Sequence, residues 1–295
     1  TKVFMVRIVL IFWLIISSQV FADELKNKIY DNAGAKLSDK ISDFIPGEGI
    51  TEVSIEKRSS EDFNYSILGV RDLLNNNSSN FFTQFGIFNS KAFNDDRVTG
   101  NLGIGYRLLS PDENFLFGLN TFYDQEIKGV HSRMSVGAEI KASIVDITAN
   151  NYMKVTDMKL INDTKEQVLS GFDFNVSTQL PYSPWAILNY RGYEYKTEKS
   201  TDDIEGEEYS LGLAINPTLA LDLTVDNSQN LATDNVYSAK LNFVYPPKDN
   251  KKTMVDGFSE DRYEKNNMSE KLRAKVRRNN RLVIEQQGAV IFTQK

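Results

Sequence analysis

The chain has 295 residues, and its 34 Lys and Arg against 40 Asp and Glu give a formal charge of -6, which argues against strong nucleic-acid binding. It contains no cysteine, so disulfides and thiolate chemistry are excluded. A single histidine removes the commonest general base and metal ligand from all but one position.

Residues 1–22 are predicted to form a cleaved secretory signal peptide. Basic Lys2 and Arg7 precede the apolar run IVLIFWLII, and Val20 and Ala22 stand at the spacing that a signal peptidase recognises. An N-terminal membrane anchor is the alternative, but the run is short for a spanning helix and a cleavage site follows it. The sequence therefore predicts export from the cytoplasm.

The next segment, residues 23–49, is predicted to hold a short amphipathic helix ahead of a sheet. Leu37, Ile41 and Ile45 recur at helical spacing. No later segment is apolar and unbroken for long enough to be a spanning helix. Any later crossing of a membrane would therefore have to use strands.

Residues 50–246 repeat a strand pattern between turn-forming residues. In one example, Leu102 and Ile104 alternate with Asn101 and Gly103, which is the period of a strand and not of a helix. The twelve candidate strands are 51–58, 62–70, 80–89, 97–108, 114–125, 132–142, 144–154, 168–180, 185–196, 207–215, 218–226 and 235–245. Twelve is an even number, as bacterial single-chain outer-membrane barrels have.

The polar face of these strands favours a membrane barrel over a soluble sandwich. It is thinned by glycine and carries lone charges, which would be costly in a dry core but can pair with water or one another in a lumen. The predicted fold class is therefore all-β, a transmembrane antiparallel barrel of about twelve strands. Its predicted lumen-facing residues are Arg107, Glu139, Lys141, Asp173, Asp222 and Lys240.

Aromatic residues near strand ends are predicted to form interfacial girdles, although aromatics are also common in strands generally. The candidates are Tyr106, Tyr123, Tyr182, Trp185, Tyr209, Tyr237 and Tyr245.

Residues 247–295 follow the last strand and contain the most basic part of an acidic chain. The basic residues are Lys271, Arg273, Lys275, Arg277, Arg278 and Arg281. Their composition alone is equally compatible with a solvated basic helix. The other expectation is that they enter a barrel and pair with Glu139, Asp173 and Asp222.

Four stretches resemble, in order and spacing, the β-barrel domain of inverse autotransporters, the intimin and invasin family: NLGIGYRLL, LFGLNTFYDQEIKGVHSRMSVGAEIK, GFDFNVSTQLPYSPW and VRRNNRLVIEQ. The resemblance implies a twelve-stranded outer-membrane barrel with a periplasmic N-terminus and a C-terminal linker that passes through the lumen. It places the following residues in that lumenal linker: Lys271, Arg273, Lys275, Arg277, Arg278, Asn279, Asn280 and Arg281.

Members of that family continue into passenger domains, whereas the sequence ends at GAVIFTQK. Residues 247–295 are therefore expected to be a lumenal linker and a truncated C-terminal extension. Adhesion would belong to a passenger, so a host or cell-surface ligand is expected only if a passenger exists. The implied partners are outer-membrane lipid and lipopolysaccharide, the barrel-assembly machinery and periplasmic chaperones.

No catalytic, cofactor or metal site is predicted. His131 could be the base of a barrel hydrolase, but a structural turn is the better interpretation. Asp124 and Glu126 could form a carboxylate pair or a calcium site, and are attributed instead to a hairpin end, on the argument that successive strand residues point to opposite faces. No nucleotide-binding or zinc motif occurs.

Three functions remain. The favoured one is an outer-membrane translocator and anchor that displays its C-terminal segment at the cell surface. The second is a small porin-like diffusion channel with a periplasmic tail. The third, an outer-membrane enzyme, is disfavoured because the sequence has one histidine and no companion motif for a catalytic triad.

Overall fold

The computed structural model describes residues 47–59, 63–92, 95–127, 131–161, 163–198, 202–229, 235–248, 251–286 and 289–291. The predicted signal peptide and the predicted amphipathic helix lie outside the described residues. Within the described ranges, no helix has both the length and the apolar character needed to span a membrane.

Sixteen strands occur in the described part of the chain. In chain order they are β1 (Gly49–Arg58), β2 (Phe63–Asn76), β3 (Ser79–Ala92), β4 (Asp95–Leu109), β5 (Phe115–Glu126), β6 (Ser132–Ala142), β7 (Val145–Lys154), β8 (Lys159–Ile161), β9 (Thr164–Val168), β10 (Ser170–Leu180), β11 (Ser183–Lys196), β12 (Ile204–Ala214), β13 (Leu219–Gln229), β14 (Val236–Tyr245), β15 (Ile284–Gln286) and β16 (Ala289–Ile291).

Twelve of these described strands, β1 to β7 and β10 to β14, close into one antiparallel barrel. Each pairs with its neighbour along the chain, β7 pairs with β10, and β14 closes the barrel on β1 with Thr51 opposite Tyr245. The predicted fold class is confirmed. All twelve predicted strands are present, most with bounds within three residues of those predicted.

The two faces of the barrel strands are inverted relative to a soluble protein. On β5, Leu119 is 69% exposed and the next residue, Asn120, is 8% exposed. The same alternation runs along β6, where Met134 and Val136 are exposed and Ser135 is buried. A continuous apolar outer surface of this kind is suited to lipid, and the polar residues then line the interior.

The two ends of the barrel differ in their connections. The short-turn end carries residues 77–78, 110–114, 143–144, 181–182 and 215–218. The long-loop end carries residues 59–62, 93–94, 127–131, 155–169, 197–203 and 230–235. β1 runs into the connection 59–62 at the long-loop end, so it begins at the short-turn end. β14 follows the connection 230–235 and runs antiparallel to β1, so it ends at the short-turn end.

A second, four-stranded sheet of order β16, β15, β9 and β8 lies at the long-loop end and was not predicted. β9 pairs antiparallel with β15, with Glu166 opposite Gln286 and Val168 opposite Ile284. Val168, Leu282 and Ile284 form a small buried apolar cluster beneath this pairing. Strands of three to five residues are too short for a period-two pattern to be recognised.

The girdle prediction fails at Trp185. Five of the seven candidates are exposed: Tyr106, Tyr123, Tyr209 and Tyr237 on strands, and Tyr182 in the turn between β10 and β11. Trp185 is 4% exposed, its indole Nε1 donates to the Gly257 carbonyl at 2.8 Å, and its ring packs on Phe258. β11 begins earlier than predicted, at Ser183, and its odd-numbered residues face inward.

The basic-helix alternative for the tail is also wrong. Two short 3₁₀ turns, Met254–Asp256 and Glu270–Arg273, interrupt the chain after β14. Residues 274–283, which include most of the basic residues, contain no helix.

Candidate functional site

The candidate site is the contact between the inner wall of the barrel and residues 270–286, here called the C-terminal segment. At the short-turn end, Lys271 Nζ lies 2.6 Å from Asp146 Oδ1, and Arg273 Nε lies 2.6 Å from Asp72 Oδ2. The Leu272 carbonyl accepts hydrogen bonds from the Arg107 guanidinium at 2.9 Å and the Asn80 amide at 3.2 Å. These contacts tie the segment to β2, β3, β4 and β7.

Further along, the segment enters an apolar patch of the wall. The Val276 backbone N–H donates to Gln84 Oε1 at 2.7 Å. The Val276 side chain joins a buried cluster on β2, β3 and β5 made of Leu68, Val70, Phe82, Phe88 and Phe122. Next to it, Lys275 Nζ lies 2.7 Å from a Glu52 carboxylate oxygen on β1.

Arg278 is the centre of the contact. Its two terminal nitrogens donate to the two Asp124 carboxylate oxygens at 2.9 and 2.6 Å, and Ser135 Oγ accepts a third hydrogen bond at 3.0 Å. Asp124 also accepts from Arg133 Nη2 at 2.8 Å. All three charged side chains are fully buried. A buried carboxylate with two bidentate-capable guanidinium groups is strongly held, and removing it would leave uncompensated charge.

Aromatic rings pack against the two guanidinium groups of this site. The Arg278 guanidinium lies 4.2 Å above the Phe122 ring centroid, and the Arg133 guanidinium lies 4.2 Å above that of Tyr152. Gly103 on β4 makes room for Phe122, since a Cβ there would lie 2.3 Å from the ring. This close approach explains one of the glycines that thin the polar face.

Asn279 forms hydrogen bonds to the barrel wall through both its backbone and its side chain. Its backbone N–H donates to the Tyr152 hydroxyl at 2.7 Å, and its Nδ2 donates to the Tyr195 hydroxyl at 2.9 Å. Its carbonyl accepts from Arg133 at 2.8 Å, and its Oδ1 accepts from the Arg281 backbone N–H at 3.1 Å. An asparagine supplies both the donor and the acceptor that this position uses.

Towards the long-loop end, Arg281 Nη1 lies 3.0 Å from Glu56 Oε2 on β1. The Val283 carbonyl accepts from the Leu169 N–H at 2.9 Å, and β15 then pairs with β9. The C-terminal segment thus contacts inward-facing residues from one end of the barrel to the other.

Comparison with known proteins decides the family. The sequence profile described as "Inverse autotransporter, beta-domain" matches residues 16–280. The chain belongs to the inverse autotransporter β-domain family. It is therefore an outer-membrane barrel of a translocator and anchor family, not of an enzyme family, and its location is the bacterial outer membrane. The family resemblance recognised in the sequence is confirmed.

This inverse autotransporter β-domain is 29% identical over 184 residues to the putative attaching and effacing protein homolog of Escherichia coli (strain K12), covering 60% of this chain and 61% of that protein. It is 30% identical over 155 residues to invasin of Yersinia enterocolitica, covering 50% of this chain and 18% of that protein. The chain thus spans less than two thirds of either relative.

The fold is also found in a solved structure. It was reported under the words "Unveiling the Mechanism Behind the in-meso Crystallization of Membrane Proteins". Its TM-score to the inverse autotransporter β-domain is 0.64 at 19% sequence identity, with 80% of this chain and 99% of that chain covered. At this identity the likeness shows the fold alone.

In this β-domain, the six residues assigned to the lumen from sequence fall into separate groups. Arg107 pairs with Glu139, and Lys141 Nζ lies 3.1 Å from the same carboxylate. Asp173 lies 3.5 Å from Arg191 Nε and accepts from the Tyr152 hydroxyl at 2.8 Å. The remaining two lie on the other side of the barrel. Asp222 accepts from Asn242 at 2.8 Å, and Lys240 lies 3.7 Å from Glu52.

The predicted carboxylate partners of the basic tail are wrong. Among the described residues, the salt bridges of the segment go to Asp146, Asp72, Glu48, Glu52, Asp124 and Glu56. Glu139 and Asp173 are instead neutralised by arginines from the barrel wall, Arg107 and Arg191. A carboxylate that already has a cation within the wall attracts a further cation less strongly.

The prediction that Asp124 and Glu126 point to opposite faces of their strand is wrong. The two residues are separated by two positions, so they share the inner face of β5, and both are buried. Asp124 pairs with Arg278, while Glu126 Oε1 lies 2.8 Å from Arg97 Nη1. The signal that could have found Asp124 is its position opposite Arg133 across the β5–β6 hairpin.

His131 lies in an ion-pair cluster at the long-loop end. It is fully buried, and its Nε2 lies 3.6 Å from Glu166 Oε2 on β9. Arg97 Nη2 lies 2.6 Å from Glu166 Oε1. Burial lowers the pKa of His131, and Glu166 opposes that effect only in part. Across the described ranges, no group of three or more His, Cys, Asp or Glu could hold a metal ion.

Proposed function

We propose that this β-domain is an outer-membrane anchor and translocator whose residues 247–295 begin with a lumenal linker. The observation that carries the proposal is the buried Arg278–Asp124 pair, which fixes the segment to the inner face of β5. The assigned linker residues Lys271, Arg273, Lys275, Arg277, Arg278, Asn279, Asn280 and Arg281 all lie between the contact with Asp146 and the pairing of β15 with β9.

The orientation follows from the two ends of the barrel. Bacterial outer-membrane barrels have short periplasmic turns and longer extracellular loops. We therefore infer that β1 starts on the periplasmic side and that the C-terminal segment leaves at the cell surface. The proposed division is a signal peptide over 1–22, a periplasmic helical segment over 23–49, the barrel over 50–246 and the linker with its extension over 247–295.

The proposed partners follow from this location. Exposed apolar side chains on the outer face would contact outer-membrane lipid, and the long-loop end would meet lipopolysaccharide. Delivery and insertion would use periplasmic chaperones and the barrel-assembly machinery. The names of the relatives, an attaching and effacing protein homolog and invasin, support a role in adhesion for whatever chain follows the linker.

Cysteine labelling tests the proposal, because the chain has no native cysteine. A Thr293→Cys variant should react with a membrane-impermeant maleimide on intact cells. The matched control is Pro111→Cys in the exposed turn between β4 and β5, which should react only after the outer membrane is opened. Position 293 reacting only after opening would instead favour a diffusion channel with a periplasmic tail.

A further inference from the structure

The short-turn end contains a cavity of about 550 Å³ that is lined by basic residues from two parts of the chain. Lys248 and Lys251 come from the stretch that follows β14. Lys271, Arg273 and Arg277 come from the C-terminal segment. The acidic residues in the lining are Asp146 and Glu270.

Two of these cations have partners in the wall. Lys271 pairs with Asp146 and Arg273 pairs with Asp72. Within the part of the chain that the structure describes, no hydrogen bond or ion pair is formed by the side chains of Lys248, Lys251 and Arg277. The five basic side chains of the lining outnumber its two acidic ones, so the cavity has an excess of positive charge.

Burial and the surrounding cations act together on Lys251. Burial and the neighbouring charges of Lys248, Lys271 and Arg277 lower the pKa of Lys251 to about 8. A bound anion would offset the repulsion among these cations and raise the pKa of Lys251.

We propose that this cavity is a binding site for a phosphate group, with Arg277, Lys251 and Lys248 as its ligands. A guanidinium fork matches the geometry of phosphate oxygens, and lysine ammonium groups act as point charges beside it. The volume exceeds that of free phosphate and falls in the range of small-molecule sites. The phosphate is therefore carried either by a small soluble molecule or by a phospholipid headgroup.

Binding is tested on the full chain in a non-ionic detergent, by isothermal titration with inorganic phosphate against a constant background of chloride. Lys251→Met and Arg277→Met should each weaken phosphate binding by about tenfold or more, since each removes a charge-assisted contact. Lys252→Met is the matched control, because Lys252 pairs with Glu264 and does not line the cavity. It should bind phosphate like the parent protein.

A second readout is independent of calorimetry. Competitive acylation followed by mass spectrometry reports the reactivity of each lysine, and the low pKa of Lys251 makes it reactive near pH 8. Phosphate should protect Lys251 and leave Lys252 unchanged. Heat-modifiable migration on a gel checks that each variant retains the folded barrel.

Nanodiscs distinguish the two sources of the phosphate group. Protection of Lys251 by inorganic phosphate in detergent assigns the site to a soluble phosphate compound. Protection only in nanodiscs that contain phosphatidylglycerol, compared with phosphatidylcholine alone, assigns it to an anionic lipid headgroup. Equal effects of phosphate and chloride in detergent, together with no protection in either nanodisc, would overturn the proposal.

Discussion

Arg278 of the C-terminal segment and Asp124 of β5 share two hydrogen bonds, of 2.9 and 2.6 Å, in a fully buried site. The two residues are 154 positions apart in the chain. Arg133 supplies a second guanidinium to the same carboxylate, and the Asn279 carbonyl accepts from Arg133 in turn. Barrel wall and segment therefore share one network, and the network depends on a single acidic group.

Replacing Asp124 should lower the free energy of unfolding. Asp124→Asn leaves the buried guanidinium groups of Arg133 and Arg278 without a carboxylate, and breaking a buried ion pair in this way costs about 3 to 5 kcal/mol. We expect protease cleavage within residues 270–286 and a lower unfolding midpoint in urea.

The matched control is Asp222→Asn. Asp222 faces the same interior, but its partner is the Asn242 amide, which an asparagine oxygen can still accept from. The control should retain protection of the segment. Equal protection in both variants would contradict the role assigned to Asp124.

A second prediction concerns the two faces of the strands. Leu119→Arg places a charge on the lipid-facing side and should destabilise insertion by about 2 to 4 kcal/mol if the site lies near the bilayer midplane. Thr224→Arg faces the partly open interior near Asp222 and should cost much less. Refolding titrations into lipid vesicles measure both. Similar costs on the two faces would argue against a lipid-facing outer surface.

Interior positions chosen from sequence alone would make poor controls for that experiment. Asn120 and Ser135 alternate with apolar neighbours and were equivalent to Thr224 in the sequence pattern. In the structure, Ser135 accepts a hydrogen bond from Arg278 and both side chains are buried, so an arginine at either position would clash or repel. The alternation predicts the face of a residue, but not what fills the space opposite it.

This limit of the alternating pattern also explains which parts of the fold could be predicted from the sequence. The barrel strands follow from local alternation because lipid on one side and water on the other impose it over many residues. β2 extends six residues past its predicted end, where a register shift between Asp72 and Leu74 breaks the alternation. The pairing of β9 with β15 joins segments more than 100 residues apart, for which no local pattern exists.

The contacts of the candidate site were also only partly predictable from the sequence. The opposition of Asp124 and Arg133 is a property of the β5–β6 hairpin register and could be derived from the sequence. The third member, Arg278, could be assigned to the interior only through the family resemblance. Its partner could not be chosen, because that depends on which wall carboxylates the wall arginines already neutralise.

A third prediction concerns conduction. A chain ending after Asp249 lacks every contact that Lys271, Val276 and Arg278 make with the wall, so the interior should open to water and ions. In planar bilayers its conductance should exceed that of the full chain several-fold. The full chain carrying Lys252→Met provides the control for altered surface charge, since Lys252 pairs with Glu264 and not with the barrel wall contacts of the segment. Equal conductance of the truncated and full chains would contradict an interior filled by the segment.

The last prediction is a pH dependence at the long-loop end. Burial lowers the pKa of His131, so the folded state holds the neutral imidazole and the unfolded state binds a proton first. The stabilisation is therefore fully present above about pH 6.5, the ordinary value for histidine, and is lost as the pH falls below it. The charged groups that face His131 are Arg97, Glu126, Lys159 and Glu166.

Since Glu166 lies on β9 opposite Gln286 of β15, protonation of His131 should loosen the pairing of these two strands. Hydrogen exchange of the backbone amides of residues 284–286 should therefore quicken between pH 7 and pH 5, after correction for the intrinsic pH dependence of exchange. His131→Asn removes the titrating group while keeping a polar side chain of similar reach, and its corrected exchange should stay flat over this range. A parent protein as flat as the variant would assign no role to His131, and a slope shared by both would show that a group other than His131 causes the effect.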